Sequence, residues 1–256
     1  MADPLDVPLL EFDPSPTAIV EPSEIRPARE VPRHLVLCFF RDVIRSAVAE
    51  FDGREIGTLG SEMGSVPIYE LSYGGHRLGL AQAAVGAPLA AGWLEELIAD
   101  GFKAFVVCGG AGALVRELTL GHVVVPTSAV RDEGTSYHYL PASREVAPTD
   151  DAVQAILAAL ERHEVPFVTG KTWTTDAFYR ETRAAVARRV AEGCLTVEME
   201  AAAFFAVARF RGVSFGQVLY AGDDLSQEAW DARGWDGHVE GRELLFRIAA
   251  EAVLAL

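Results

Sequence analysis

At 256 residues and 50% hydrophobic content, the chain holds enough apolar side chains for one large α/β domain with a sizeable core. Its 22 Lys+Arg against 37 Asp+Glu leave a net charge of −15. Without a basic cluster there is no electrostatic footprint for a phosphate backbone, which argues against nucleic acid as a partner.

In chain order, residues 1–33 come first and carry seven of the 13 prolines (Pro4, Pro8, Pro14, Pro16, Pro22, Pro27, Pro32) with scattered acids and little periodicity. That describes an extended arm, whose removal is expected to leave the rest folded. The start lacks a basic segment followed by an apolar one, and no run approaches the roughly 18 apolar residues that span a bilayer. A soluble cytoplasmic protein with no membrane partner is expected. Cys38, Cys108 and Cys194 lie in or beside apolar runs, with no C-x-x-C pair and no histidine at metal-ligand spacing. They read as core residues of a reducing compartment, and no metal site is expected.

From residue 34 to 256, apolar runs alternate with helical patterns. HLVLCFF (34–40), RLGLAQAAV (77–85), AFVVCGG (104–110), HVVVPTSAV (122–130), PFVTGKTW (166–173) and SFGQVLYA (214–221) read as strands, several apolar on both faces. Segments 88–101, 151–164, 180–193 and 242–256 carry helical spacing, with Asp150 or Asp151 as an N-cap and Gly101 and Gly193 as stops. The alternation predicts one α/β domain, a twisted mixed central sheet flanked by helices. Ligands bind such sheets at the carboxyl ends of strands. That rule selects Gly109–Gly112, Phe178, and Gly222-Asp223-Asp224.

Each place has a bland reading beside a functional one. Glycines in CGGAGAL (108–114) let backbone amides approach an anion or a sugar, or simply make a tight turn. They fail as a dinucleotide fingerprint, because Val115 stands where the third glycine belongs. Phe178 in TTDAFYRET offers a face for a heterocycle, although an aromatic there also serves as core. In AGDDLS, Asp224 reads as an N-cap, and Asp223 as a partly desolvated carboxyl able to hold a proton. TVEMEA (196–201) sets two acids at the mouth of the apolar run AAAFFAVARF. In an extended segment Glu198 and Glu200 share a face, and a carboxylate accepts two hydrogen bonds from vicinal hydroxyls such as those of ribose.

TVEMEAAAFFAVA, with FVVCGGAGAL…LGHVVVPTSAVRDEG, TTDAFY and LYAGDD in the same order, resembles the nucleoside phosphorylase superfamily. That family includes uridine phosphorylases, hexameric purine nucleoside phosphorylases and methylthioadenosine/S-adenosylhomocysteine nucleosidases. The resemblance spans roughly residues 34 to 256, with V-E-M-E-A its most specific part. It implies a homodimer or homohexamer that cleaves the N-glycosidic bond of a nucleoside. By position, Glu200 resembles the carboxylate on the ribose hydroxyls, Met199 the contact under the sugar, and Glu198 the residue bordering sugar and base. Phe178 resembles the aromatic that stacks on the base, with Gly110 beside it. Asp223 resembles the acid that serves purine N7, which the uridine branch lacks, so a purine is implied.

The phosphate site departs from the family. Its G-D-P-x-R turn is replaced by CFFRDVIR (38–45), Val107 occupies the place of the arginine before the glycines, and the arginine lent by a neighbouring subunit falls near Glu62. Gly109 and Arg41, or Arg45, remain as phosphate candidates, and a dianion normally needs more than one arginine. The nucleosidase branch lacks those arginines and activates water with a glutamate near the end of the first strand, close to the place of Asp42. The expected activity is therefore a pentosyltransferase using phosphate as co-substrate, with no other cofactor, or a nucleoside hydrolase using water. A nucleoside-binding protein without turnover stands as the rival on the same fold.

Overall fold

The computed structural model describes residues 7–256, so residues 1–6 of the expected arm, Pro4 among them, lie outside the described residues. A ten-stranded mixed sheet organises the molecule. Its strands are β1 (His34–Cys38), β2 (Arg54–Ser61), β3 (Gly64–Tyr73), β4 (His76–Gln82), β5 (Ala104–Ala113), β6 (Val123–Asp132), β7 (Glu145–Val146), β8 (Phe167–Thr175), β9 (Cys194–Glu198) and β10 (Ser214–Asp224). The helices are α1 (Pro22–Ile25), α2 (Arg41–Glu50), α3 (Ala87–Asp100), α4 (Asp150–Arg162), α5 (Arg183–Ala191), α6 (Ala201–Arg211) and α7 (Val239–Leu254).

The sheet runs β10-β6-β8-β9-β5-β1-β4-β3-β2, and β10 also pairs with β5. The expected twisted sheet is thus present, and part of it closes into a barrel of β5, β10, β6, β8 and β9. Closure needs a strand both of whose edges and faces are covered, and AFVVC in β5 is such a strand. Phe105 and Val107 enter one core with α3 and α6, while Val106 and Cys108 enter the other with α4 and α7. All three cysteines are buried and unpaired. No helix among the described residues is long and apolar enough to cross a membrane.

How β5 changes partners positions the functional site. Along one edge it pairs with β10 from Ala104 to Ala113. Along the other it pairs with β1 from Ala104 to Cys108, and then with β9 at Gly112 and Ala113. The sheet therefore splits at Gly109–Ala111, the kind of crevice at strand carboxyl ends where α/β proteins hold ligands.

Several boundaries differ from expectation. The β2–β3 hairpin carries no strong strand signal because β2 is largely solvent-facing, and the first turn of the chain opens directly into α2. Thr149 occupies the N-cap of α4, while Asp151 accepts hydrogen bonds from the Ala152 amide (2.9 Å) and Ser214 Oγ (2.6 Å). Gly101 does end α3, at φ 126°, where only glycine is comfortable. Asp224 starts no helix; it accepts from the Ser226 amide at 2.8 Å and pairs with Arg233 at 2.5 Å.

The arm lies on the body through ion pairs that its composition does not reveal. Arg26 and Arg29 reach Asp100 Oδ2 at 2.8 and 2.7 Å, and Asp100 is 2% exposed. Burial alone would raise the Asp100 carboxyl, but Arg29 and Arg26 outweigh it and hold it below its usual range. A carboxylate lowered in this way stabilises the fold above the ordinary carboxylate range, and the contribution is lost as pH falls through the lowered value. Asp100→Asn leaves two arginines without their buried partner and is expected to cost about 3 kcal/mol at pH 7, or roughly 6–12 °C in Tm. Calorimetry at several pH values checks this, with the gap to wild type closing only below about pH 4.

Candidate active site

The crevice at the β5 split opens into a cavity of about 1150 Å³. Gly110–Gly112, Phe178, and Gly222 with Asp223 all line it, so the three strand-end places converge. Gly110 lies against the Tyr220 ring, where an added Cβ would stand 3.3 Å from ring carbons. At Gly112 an added Cβ would meet Leu225 at 2.6 Å, so the missing side chain lets the segment after β10 close over the cavity.

The end of β9 and the start of α6 form one wall. Glu198 Oε2 accepts from the backbone amides of Glu200 (2.7 Å) and Ala201 (2.6 Å), and Oε1 accepts from Thr174 Oγ1 (2.6 Å) and Thr172 Oγ1 (3.4 Å). A carboxylate offers about four acceptor positions, and these are taken. The expectation that Glu198 and Glu200 present a shared face to one ligand is therefore corrected. The chain turns at Met199, Glu200 takes φ −136° and ψ −30° as the N-cap of α6, and the Glu198 carboxylate accepts from the first helical amide, that of Ala201. Glu200 Oε1 accepts from the Gly86 amide at 2.6 Å, and its carboxyl lines the cavity beside half-buried Met199. Burial pushes both carboxyls up. At Glu198 four donors oppose the rise, so Glu200, buried and facing that charge, takes the proton, at about 8.

A second part of the lining is built from the turn after β8 and the segment after β10. Phe178, half exposed, packs against Tyr179 with ring centroids 4.1 Å apart. Asp223 Oδ2 accepts from the Trp230 indole at 2.7 Å. Glu181 lines the same part, and burial, then the nearby Asp223 charge, push its carboxyl up to about 7. Arg183 fastens the segment from β10 by donating to the carbonyls of Leu225 (2.7 Å) and Glu228 (2.9 Å). Trp235 packs at Gly222, and its carbonyl accepts from Tyr220 Oη (2.8 Å) and Arg242 Nη2 (3.1 Å).

The third side is the turn after β1. Arg41, Asp42 and Arg45 line the cavity, and Arg242 Nη1 stands 3.7 Å from Asp42 Oδ2. Gly109 does not line it: the Phe39 ring packs over that glycine, 2.8 Å from where a Cβ would stand. Gly109 is thus separated from the other phosphate candidates. Val107 is fully buried, and Glu62 lies exposed on the β2–β3 turn.

Residues 36–253 match the Phosphorylase superfamily. The chain belongs to the phosphorylase superfamily. It is 33% identical over 196 residues to a guanosine phosphorylase of Halorubrum lacusprofundi, covering 74% of this chain and 80% of that one. It is 31% identical over 183 residues to a uridine phosphorylase of Treponema pallidum, covering 67% and 70%. Among solved structures, a purine nucleoside phosphorylase of Toxoplasma gondii in complex with immucillin-H superposes with a TM-score of 0.76 at 20% identity, covering 87% of this chain and 90% of that one. A uridine phosphorylase of Vibrio fischeri gives 0.75 at 22% identity, covering 93% and 95%. These superpositions speak for the fold of this phosphorylase-superfamily chain.

Within that fold, Glu200, Met199, Phe178, Gly110, Asp223, Arg41 and Asp42 share one cavity with Glu198. Glu181, Arg183, Gln217, Trp230, Trp235 and Arg242 also line it, and sequence reasoning did not single them out. Only Gln217 left a signal, as a polar residue in the middle of the apolar run SFGQVLYA.

Proposed function

We propose that this member of the superfamily cleaves the N-glycosidic bond of a purine nucleoside, acting as the homodimer or homohexamer that the resemblance implies. The observation that carries the proposal is a single cavity lined by the Glu200 carboxyl together with Phe178, Asp223 and Glu181. Cleavage builds positive charge on the ribose ring and negative charge on the departing base. Glu200 accepts hydrogen bonds from the sugar diol over Met199 and, once ionised, balances the sugar cation. Phe178 stacks on the base, Gly110 lets it approach the strand, and Asp223 serves the purine nitrogen that must gain a proton. The guanosine phosphorylase among the relatives supports a purine.

The nucleophile is the open part of the chemistry, and two observations favour water over phosphate. The Phe39 ring covers Gly109, and Val107 is apolar and fully buried, so neither position supplies a contact for phosphate. Arg41 and Arg45, with Arg242 beside Asp42, line the cavity at the turn after β1 and are the arginines from which a phosphate would have to be held. Incubation with a nucleoside panel, with and without phosphate, separates the two by product. Free ribose in both conditions is the expected result. Ribose 1-phosphate formed only with phosphate would assign phosphorolysis, and binding without release of free base over hours would defeat catalysis altogether.

A further inference from the structure

Gln217 has no part in the reading above. It lies on β10 in register with Val107 of β5 and is 1% exposed. Two residues earlier on the same face of the strand, Phe215 stacks on Phe204 of α6 at 5.1 Å and meets Phe205 at 6.1 Å between ring centroids. The helix leads back over the strand from its start at Glu200, so Gln217 stands beneath that start and lines the cavity with Glu198 and Glu200. Neither Nε2 nor Oε1 of its amide has a hydrogen-bond partner among the described residues. Buried polar groups are nearly always satisfied, and a primary amide this deep is costly to leave alone. An apolar residue of similar shape would serve the core better, since Phe215 and Leu219 flank it on that face and both are fully packed.

We infer that Gln217 is a ligand-contacting residue whose amide holds a neutral hydroxyl-class oxygen, of the sugar or of the attacking water, in the cavity floor beside Glu200. The chemistry selects that class. An amide presents one acceptor oxygen and two N–H donors without charge. A hydroxyl or a water molecule donates and accepts at once and satisfies both ends. A phosphate dianion has one O–H against three charged acceptor oxygens and would leave Oε1 facing negative charge. The inference rests on the proposed glycosidic cleavage and adds to it the residue that reads a neutral oxygen at the floor.

Gln217→Met removes both polar atoms at nearly constant volume. Steady-state kinetics on guanosine, 2′-deoxyguanosine and 3′-deoxyguanosine, with and without phosphate, are paired with thermal melting. The expected result is a variant that melts at or above wild type, because an orphaned amide is gone, yet loses at least tenfold in kcat/KM on guanosine. If the amide holds a sugar hydroxyl, the loss falls mainly in KM and disappears on the deoxynucleoside lacking that hydroxyl. If it holds water, the loss falls in kcat and persists on all three nucleosides in phosphate-free buffer. Kinetics within twofold of wild type on every substrate, with a raised melting temperature, would overturn the inference and leave glycosidic cleavage standing. Should the Met variant not fold, Gln217→Leu also removes both polar atoms, and wild-type kinetics in that variant would overturn it equally. If wild type binds guanosine without turning it over, equal calorimetric affinities for wild type and variant overturn it. Absence of both binding and turnover defeats the functional proposal and the inference together.

Discussion

Glu200→Gln is expected to lower kcat/KM for a purine nucleoside by at least about 100-fold, some 2.7 kcal/mol of transition-state stabilisation. The amide retains an acceptor for the Gly86 N–H, which Glu200 binds at 2.6 Å, so the wall should keep its shape. What disappears is the charge that balances a sugar cation and an acceptor for the diol. Burial and the neighbouring Glu198 raise the Glu200 carboxyl to about 8, so the empty site holds a proton below that pH. Wild-type kcat/KM should therefore climb as pH rises towards about 8, and the Gln variant should lack that limb. Stability follows the opposite sign. A carboxyl raised in the folded state contributes fully below its unfolded value, and the contribution is lost as pH rises through the folded one. Above about pH 8 the empty wild type carries a buried anion that the variant does not. The variant should melt several degrees higher there, which calorimetry across pH 5–9 would measure on the scale of about 2–4 °C per kcal/mol. Activity within threefold of wild type would remove Glu200 from the site.

Asp223→Asn should separate two kinds of substrate. Loss of a proton-transferring group typically costs about 100-fold or more on a base that must be protonated to leave. A nitrophenyl riboside, whose leaving group departs as an anion, should lose less than about tenfold. The local fold permits so clean a comparison, because the Trp230 indole, 2.7 Å from Asp223 Oδ2, can donate equally well to an asparagine oxygen. The same substitution removes the negative neighbour that, after burial, raises Glu181 to about 7, so any kinetic limb belonging to Glu181 should move to lower pH. Equal losses on both substrates would defeat the proton role. Activity on uridine with none on any purine nucleoside would defeat the purine assignment.

What the sequence discloses and what it hides have separate physical causes. AFVVC and SFGQVLYA are legible as buried strands because they are covered on both faces, and a period-two pattern with polar faces would have put them at an edge. The strand-end rule then brings Gly110, Phe178 and Asp223 to one cavity without coordinates. The shared face expected of Glu198 and Glu200 fails because extended geometry does not continue through Met199, and nothing in V-E-M-E states where a strand hands over to a helix. Barrel closure was hidden for a similar reason, since pairing of β10 with β5 joins residues more than a hundred positions apart. Arg183 acts through the backbone carbonyls of Leu225 and Glu228 in a distant loop, a contact that leaves no spacing to recognise.

The position of Glu198 divides the site by its freedom to vary. One carboxylate closes a barrel strand, seats the next helix and backs the cavity, so a change there is felt first in folding. The wall around Glu198 is thereby frozen by architecture, independently of any demand from a ligand. Another part of the lining is supplied by Phe178, Tyr179 and Glu181 on the turn after β8 and by Trp230 and Trp235 on the segment before α7, none of them in a regular strand or α-helix. Replacements in those segments can re-shape the cavity while the barrel stays intact. A scaffold of this kind can vary its loops around an unchanging wall of strand and helix.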